Sequence, residues 1–318
     1  MSATQTPTLS VGERAARGRR AGPLAAVGRH WADYLYIAPA LLVMLIVIGY
    51  PIVYTIYLSF FETPPSSGNW YFNGLANYRA ILTDPLFWTT TKNTFVWTVA
   101  STLLSFALGL GAALVINRQF IGRGLLRGLL LVPYVISQVA AAYVWRWLFH
   151  SDYGLISGVL QQIGLIKSPI IFLDSTQLVL PAVIVANVWK EYPFAMILLL
   201  AGLQTVPEGL MKAARVDGAG TWQRFWHVTV PHLRGVILVA TILLFVSNLN
   251  SFTLVWIMTG GGPANASQLW ITEVYTMAFQ SLRYGLASAF SVILFIVMLA
   301  LGYFYVRALT GGEEEGRA

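Results

Sequence analysis

Long apolar runs separated by short polar connections dominate the 318-residue sequence, in which 57% of residues are hydrophobic and 10% are charged. A membrane-spanning helix needs roughly 20 consecutive apolar residues, because the hydrocarbon core of a bilayer is about 30 Å thick. Six stretches reach this length, at about residues 35–61, 94–116, 128–149, 178–203, 234–258 and 286–308. Peptide groups find no water inside the bilayer, so each stretch is expected to be a helix. The sequence therefore predicts an all-α, polytopic membrane protein with six transmembrane helices.

Basic residues are concentrated on one side of these predicted spans. Most of the 20 Lys and Arg residues lie in the N-terminal tail, the second and fourth connections and the C-terminal tail. The connections on the other side carry only Arg79, Lys92, Lys167 and Arg283. Because cytoplasmic loops hold the excess of Lys and Arg, both termini are predicted to be cytoplasmic. Membrane topology also explains the net charge of +7 better than nucleic-acid binding does.

Three segments follow from this pattern. Residues 1–33 are predicted to form a disordered basic cytoplasmic tail, because they are rich in Arg, Gly, Ser and Thr and lack an apolar period. Residues 34–309 are predicted to form one transmembrane domain, and residues 310–318 a short cytoplasmic tail. The first apolar run is too long for a cleavable signal peptide, so it is expected to remain as an anchor.

Several kinds of chemistry are missing from the sequence. It has no cysteine, no Gly-Lys-Ser/Thr phosphate loop and no Gly-x-Ser-x-Gly nucleophile motif. Its four histidines show no metal-ligand spacing. We therefore expect a chain that is not an enzyme, holds no metal or cofactor, and takes the energy for any work from another chain.

A charged segment, Lys212–Trp226, interrupts the apolar sequence on the predicted cytoplasmic side. Upstream of it, Thr205 and Glu208 have the spacing of a capping box, which predicts a helix from this point. The helix should run to Asp217, since Gly218 is typical of a left-handed helix terminator. The sequence thus predicts a short helix followed by a glycine turn.

A second short helix is predicted beyond the turn. Thr221 can cap it, and Trp222, Phe225 and Trp226 form an aromatic face at i, i+3 and i+4 before Pro231 starts the fifth span. Two interpretations of the whole segment remain open. Small residues on the first helix permit close approach of a partner protein, whereas an interfacial linker needs no partner.

The fourth predicted span carries charges near its centre, at Lys190 and Glu191, followed by Pro193. A proline removes a helical hydrogen bond, so Pro193 is expected to kink or open the helix. Charged residues beside a broken helix near the bilayer midplane are typical of transporter sites. The side chains of Asn248 and Asn250 in the fifth span suit such a site, and they suit hydrogen bonding between helices equally well.

The residues from Thr205 to Pro231 resemble the cytoplasmic signature loop of binding-protein-dependent ABC importer permeases, in particular the carbohydrate permeases of the maltose type. The signature reads approximately Glu-Ala-Ala, two residues, Asp-Gly-Ala, then an aromatic residue and a proline. Here it begins at Lys212-Ala213-Ala214 and continues with Asp217-Gly218-Ala219. Three further stretches are similar to the family: Gly74–Tyr78, Trp189–Phe194 and Gly260–Pro263.

The resemblance implies that the loop at about 205–231 holds a coupling helix at residues 205–218 that docks in a cleft of an ATPase subunit. The positions implied in coupling are Glu208, Leu210, Lys212, Ala213, Ala214, Asp217, Gly218 and Ala219. The sequence departs from the family at Lys212, where the usual residue is glutamate. A salt bridge from that glutamate to the ATPase is therefore not implied here, although Glu208 lies one turn earlier and offers a carboxylate.

The resemblance also implies a midplane substrate pathway. Its positions match Asn187, Lys190, Glu191, Phe194, Asn248 and Ser251. An aromatic ring with amides and a charge suits a sugar, because the ring stacks on the apolar sugar face while polar groups bond to hydroxyls. Lys190 also leaves open a glycerophosphodiester or another polar solute.

The implied function is that of a permease subunit in an ATP-driven carbohydrate importer of a bacterial or archaeal cell (inner) membrane. Its expected partners are a second, related permease, two ATPase subunits that bind ATP and Mg²⁺, an outer solute-binding protein and the lipid bilayer, with no nucleic acid. A stand-alone ion-coupled transporter or a polytopic membrane enzyme is the alternative from a different class. Such a protein usually needs an intramembrane carboxylate relay or cluster, and only Glu191 is available.

Overall fold

The computed structural model describes residues 31–64 and 69–315. Helices form most of these residues, together with one two-stranded hairpin. They divide into two units, one ending at Tyr54 and the other beginning at Thr55. Residues 1–30 and 316–318, which hold most of the predicted N-terminal tail and the end of the C-terminal tail, lie outside the described residues.

The first unit is an apolar helix. It consists of α1 (Trp31–Met44), a π-helical turn (Leu45–Gly49) and the beginning of α2 (Tyr50–Leu58). Every side chain from Leu35 to Ile48 is exposed. A helix this apolar without a buried face belongs in lipid or against another subunit.

The second unit contains the remaining elements. In chain order they are β1 (Phe61–Glu62), β2 (Tyr71–Phe72), α3 (Ala76–Thr83), α4 (Pro85–Asn117), α5 (Arg123–Val135), α6 (Gln138–Leu148), α7 (Leu155–Gln162), α8 (Val179–Gln204), α9 (Glu208–Val216), α10 (Thr221–Arg224), α11 (Val230–Leu249), α12 (Thr253–Thr259), α13 (Trp270–Tyr275) and α14 (Tyr284–Glu315). A π-helical turn at Phe225–Thr229 joins α10 to α11, and another at Thr276–Gln280 follows α13.

Five of the described helices are long and apolar enough to cross a membrane. They are Leu35–Leu58, Pro85–Asn117, Val179–Gln204, Thr221–Leu249 and Tyr284–Tyr303. The pair α5 and α6 passes the same test together but is bent by 95°, and would provide a sixth span. The predicted helical, multi-pass class is confirmed, while the count of six and the cytoplasmic termini remain predictions.

The third predicted span is not one straight helix, so the expected continuous run at 128–149 is wrong. α5 ends at Val135, and Ile136 adopts an extended conformation with φ −64° and ψ 137°. Ser137 then starts α6, where its Oγ accepts a hydrogen bond from the Ala140 amide at 3.2 Å. Pro133 has no amide hydrogen to donate within α5. We call the bend at Ile136 and Ser137 the elbow.

The fifth predicted span also differs from its expected bounds of 234–258. The helix does not start anew at Pro231, because the π-helical turn carries it without interruption from Thr221 to Leu249. It stops before Asn250, and Asn250–Phe252 separates it from α12. Pro193, in contrast, leaves α8 helical throughout, so the expected opening of the fourth span is wrong.

The sequence of the first outer loop predicts a short helix around Asn77–Leu82, and α3 is present there. The Asn77 side-chain amide donates to the carbonyl oxygens of Ser59 and Phe61, both at 2.9 Å. These bonds hold α3 against β1, whose Phe61 pairs with Phe72 of β2. The helical spacing of apolar residues within Asp152–Lys167 predicts a second outer helix, and α7 is present over a shorter range.

Close packing of α4 against α8 forms the centre of the second unit. Gly109 of α4 faces Ala195 and the Tyr192 carbonyl of α8, and Ala195 is fully buried. Small residues permit such approach in membranes, where dispersion contacts rather than the hydrophobic effect bind helices together.

The chain after α12 is fixed to α4 by hydrogen bonds. Asn93 of α4 donates to the Asn265 carbonyl at 3.0 Å, and the Trp270 amide donates to Thr94 Oγ1 at 2.9 Å. Glu273 of α13 is buried in this region and accepts a 2.8 Å hydrogen bond from the Gln268 side chain. Burial raises the pKa of the Glu273 carboxyl above its ordinary value; the Gln268 bond opposes this and the charge of Asp84 adds to it.

Replacing Gly109 by alanine should destabilise the protein by about 1–3 kcal/mol, the usual effect of overpacking a close contact. A Cβ atom at Gly109 would lie 2.6 Å from the Ala195 Cβ and 2.8 Å from the Tyr192 carbonyl oxygen. Gly111→Ala is the matched control in the same helix, because a Cβ there meets nothing within 4 Å. Thermal unfolding of the purified full chain in detergent measures both, and equal melting temperatures would contradict the close packing.

Glu273→Gln should remove a pH-dependent loss of stability. A raised pKa means that the folded protein favours the protonated carboxyl, so this stabilisation is complete below the ordinary pKa of 4.5 and is lost as pH rises through the folded-state pKa. The melting temperature of the variant relative to the unaltered protein should therefore increase from pH 4.5 to pH 8. Glu62→Gln, in the hairpin, is the control, and a difference that stays constant with pH would refute the assignment.

Candidate functional site

The junction between α8 and α9 differs in detail from the predicted capping box. The Thr205 hydroxyl donates back to the Gly202 carbonyl at 2.8 Å and lies 3.3 Å from His232 Nε2, so it does not cap α9. Pro207 occupies the N-cap position without a side-chain hydrogen bond. The capping box is therefore wrong, although a helix does follow, because the Thr205 hydroxyl closes the preceding helix instead.

The end of α9 is a Schellman motif, as predicted from Gly218. The Ala219 amide donates to the Ala214 carbonyl at 2.9 Å, and the Gly218 amide donates to the Arg215 carbonyl at 3.1 Å. Gly218 has φ +80°, a conformation that costs side-chain-bearing residues about 1–2 kcal/mol. The glycine thus turns the chain sharply after Asp217 and satisfies the last carbonyls of the helix.

The surface of α9 has no buried residue. The side chains of Leu210 and Val216 are 52% and 88% exposed. Lys212 Nζ lies 3.2 Å from Glu208 Oε2, and both groups are largely exposed, so the pair contributes at most about 1 kcal/mol. Of the predicted coupling residues, six are exposed and two, Ala214 and Ala219, are half-buried; the exposed ones are Glu208, Leu210, Lys212, Ala213, Asp217 and Gly218.

The turn after α9 is held by side chains of α10. The Gly220 amide donates to the Gln223 side-chain oxygen at 2.8 Å, so Gln223 caps α10 in place of the expected Thr221. The Arg224 guanidinium donates to the Ala219 carbonyl at 2.9 Å and to Thr221 Oγ1 at 3.3 Å. These bonds fix the position of α9 relative to the membrane helix that follows.

The predicted aromatic face on the second helix is present. Trp222 and Phe225 have ring centroids 5.9 Å apart, and Trp222 and Trp226 are 5.6 Å apart. Cavities of about 480 and 400 Å³ lie on either side of α9. The first is lined by Glu208, Lys212 and Arg215 and the second by Ala214, Asp217 and Arg224, among others. The segment is thus a solvent-exposed, hydrogen-bonded projection with concave surfaces beside it.

Two of the predicted pathway residues bond directly to each other. Asn187 of α8 donates to the Asn248 side-chain oxygen of α11 at 2.6 Å, and Asn248 donates in turn to Thr102 of α4 at 3.1 Å. The Trp97 indole of α4 donates to the Asn248 main-chain carbonyl at 3.0 Å. Asn187 and Asn248 are each 1% exposed. In this conformation the two amides connect three helices.

Lys190 and Phe194 meet at the elbow instead. Lys190 Nζ donates to the Tyr134 carbonyl at 2.8 Å, and the Tyr134 ring stacks on Phe194 with centroids 6.2 Å apart. Glu191 is half-buried and makes no hydrogen bond or ion pair within the described residues. Ser251 is buried, and its hydroxyl has no partner among residues 31–64 and 69–315.

Sequence reasoning missed three residues of this region: Trp97, Thr102 and Tyr134. A signal for the first two exists in α4, where Thr94, Thr98, Ser101 and Ser105 recur at helical spacing and are buried. Such a stripe of small polar residues indicates a face packed against other helices. Tyr134 contributes a main-chain carbonyl, for which no residue type gives a signal.

A separate cavity of about 530 Å³ lies at the opposite end of the unit from α9. It is lined by the end of α6, the segment around Asp174 and the chain from Trp256 to Pro263. Arg146 lines this cavity and donates to the Ile257 carbonyl at 3.2 Å.

Replacing Asn248 by leucine should lower stability by about 0.6–2 kcal/mol, the range for hydrogen bonds between membrane helices. The change leaves the Asn187 amide and the Thr102 hydroxyl without their partner. Asn250→Leu is the matched control, because the exposed Asn250 side chain donates to the Val246 carbonyl one turn earlier and bonds to no other helix among the described residues. Thermal unfolding measures the effect, and equal stability of the two variants would exclude a connecting role for Asn248.

Comparison with known proteins places these elements in a family. Residues 105–311 match the family model of the binding-protein-dependent transport system inner membrane component. The chain is 35% identical over 277 residues to the trehalose/maltose transport system permease protein MalF of Thermococcus litoralis, which covers 86% of this chain and 92% of that protein. It is also 35% identical over 278 residues to the sulfoquinovosyl glycerol transport system permease protein SmoG of Agrobacterium fabrum. That match covers 86% of this chain and 89% of the relative.

A solved structure shares the fold. The structure of a bacterial alginate ABC transporter, in complex with alginate pentasaccharide-bound periplasmic protein, contains a chain that matches with a TM-score of 0.75 and 24% identity. The match covers 88% of this chain and 94% of that one. The family match includes α9 together with the elbow and the break after α11. The chain therefore belongs to the family of inner membrane components of binding-protein-dependent transport systems, as its signature loop predicted.

Proposed function

We propose that this protein is a permease subunit of an ATP-driven ABC importer for a carbohydrate. Substrate would pass from a solute-binding protein through a site near the bilayer midplane. Family membership supports the transport role, and the relatives named for trehalose/maltose and for sulfoquinovosyl glycerol support a sugar or sugar derivative. With both termini cytoplasmic, as the distribution of Lys and Arg favours, α9 faces the cytoplasm.

The observation that carries the proposal is the exposure of α9. A nine-residue helix is marginal in water unless packing stabilises it, yet α9 has no buried residue. Its carboxyl end is nevertheless fixed by the Schellman motif and by the Arg224 bond to the Ala219 carbonyl. A rigid, exposed helix that carries apolar residues such as Leu210 suits docking in a groove of a soluble protein. Since the signature loop resembles that of ABC importer permeases, this partner would be an ATPase subunit that binds ATP and Mg²⁺.

The remaining partners follow from the same assignment. A second, related permease would complete the pathway, two ATPase subunits would bind on the cytoplasmic side, and a solute-binding protein on the outer side. As a mechanism, closure of the ATPase pair would move α9 as a rigid lever, so that the spans rock and expose the midplane site alternately to each side.

The other candidate functions are less well supported. A stand-alone ion-coupled transporter does not accord with membership of a binding-protein-dependent family. A glycerophosphodiester held by the whole Lys190 ammonium would require this lysine to leave the Tyr134 carbonyl, to which it bonds in this structure.

Affinity purification of the tagged full chain from its native membrane tests this assembly. We expect mass spectrometry to find an ATPase and a second six-span permease with it. Leu210→Glu should release the ATPase, because it puts a charge into the apolar contact, but retain the second permease. Ile163→Glu is the matched control, since Ile163 is an apolar side chain of similar exposure, at 62%, beside α7.

Two outcomes of this purification would contradict parts of the proposal. A chain recovered alone from the native membrane, yet active in transport, would contradict the proposal. ATPase retained by Leu210→Glu at the level of the control would show that α9 is not the docking element.

A further inference from the structure

The elbow leaves the carboxyl end of α5 short of hydrogen-bond donors. The last four carbonyls of any helix lack an intrahelical partner. Because Ile136 is extended, the amide of residue 138 does not bond to the Tyr134 carbonyl as it would in a continuous helix. In a membrane, each unsatisfied peptide group costs several kcal/mol. The end of α5 therefore needs donors from elsewhere in the protein.

Two side chains of α8 donate to carbonyls of α5, and one of these carbonyls, that of Tyr134, is among the last four. Lys190 Nζ donates to the Tyr134 carbonyl at 2.8 Å, and the Tyr192 hydroxyl donates to the Leu130 carbonyl at 3.1 Å. The two carbonyls are four residues apart, one above the other along α5. The fourth span thus bonds to the last turns of α5 at two successive levels.

The contact also explains how the charged ammonium of Lys190 can be buried inside a membrane protein. Lys190 is 7% exposed, so its ammonium has lost most of its water. It lies at a helix carboxyl end, where the aligned peptide dipoles present partial negative charge. The Tyr134 ring, 5.4 Å from Nζ, adds a cation–π contact, and Phe194 stacks on the ring. Main-chain and aromatic groups thereby stabilise the charge, in addition to the neighbouring Glu191 carboxylate.

We propose that Lys190 is a positioning residue that fastens the elbow of the third span to α8. It takes the place of the main-chain donor missing at Tyr134, and holds the end of α5 through that carbonyl rather than by contact with solute. The inference rests on the proposed function only in that the elbow belongs to the spans that must move during transport. While the contact is intact, one of the three ammonium hydrogens is bonded to the Tyr134 carbonyl.

Cysteine labelling tests the fastening without any assay of transport. The chain has no native cysteine, so Ile136→Cys provides one half-buried thiol at the elbow. The rate of its alkylation by N-ethylmaleimide is measured by mass spectrometry of the full chain in native-membrane vesicles, without added ATP or solute. Lys190→Met should increase the rate on the order of tenfold, the effect of losing a hydrogen bond from a charged group.

Matched variants identify the cause. Lys190→Arg keeps a charged donor and should restore most of the protection. Lys92→Met removes an exposed lysine from α4 and should change nothing. If Lys190→Met does not accumulate, Tyr192→Phe removes only the second bond and should raise the rate by a smaller factor. Labelling at the unaltered rate in the variants that accumulate would overturn the proposal.

Transport kinetics separate fastening from solute contact. In vesicles that contain the assembled importer, with trehalose and maltose as probes, Lys190→Met should lower the maximal rate and leave KM unchanged. A raised KM with unaltered labelling would instead assign Lys190 to solute binding and overturn the proposal. The labelling result does not depend on substrate or partners, so it stands even if the carbohydrate assignment fails.

Discussion

The need to satisfy every main-chain polar group away from water determines how this protein is built. Unbroken helices meet the need by themselves, but two spans break, at the elbow and after α11. At each break a side chain from a neighbouring helix donates to a carbonyl in the last turn. Lys190 does so for Tyr134, and the Trp97 indole does so for Asn248. The breaks are thus stabilised by the long helices α8 and α4, which pack against each other at Gly109.

This arrangement changes the meaning of the polar residues in the fourth span. They were expected to accompany a break at Pro193 in their own helix, but α8 is continuous and the breaks lie in its neighbours. Lys190 donates to a carbonyl at the elbow, and Asn187 donates to the Asn248 side chain at the end of α11. A predicted pathway and a set of structural bonds therefore involve the same side chains. Movement of the broken spans would require these bonds to change, which links packing to transport.

Much of the fold could be predicted from sequence, because long apolar runs and glycine-terminated helices are local signals. The helical class, the outer helix α3, the exposed helix α9 and the left-handed Gly218 were all predicted and are present. The breaks were misplaced because a proline indicates only a missing donor, and whether the helix opens depends on its neighbours. Pro133 lies three residues before a break, whereas Pro193 lies in an unbroken helix.

The candidate site could be predicted only in part for a related reason. Residue types indicate which side chains can bond, but not to which main-chain atom. The amino-acid sequence around Tyr134 does not show that its carbonyl lacks a main-chain partner. The role of Lys190 therefore follows only from the backbone conformation. The helix α9 was easier to predict, because it is a local element with its own terminator, while the coupling role of its residues remains a prediction.

The departure from the family at Lys212 can be understood from the energetics of α9. Lys212 pairs with Glu208 one turn earlier, and both side chains are largely exposed to solvent. An exposed pair of this kind contributes at most about 1 kcal/mol to stability. A basic residue of a docking protein can therefore replace Lys212 as the partner of Glu208 at little cost in free energy. Glu208 thus remains available to a basic residue on a docking protein even though lysine occupies the usual glutamate position. Because the turn at Gly218 and the Arg224 bonds already fix α9, docking would lose little conformational entropy, and a small contact area can suffice.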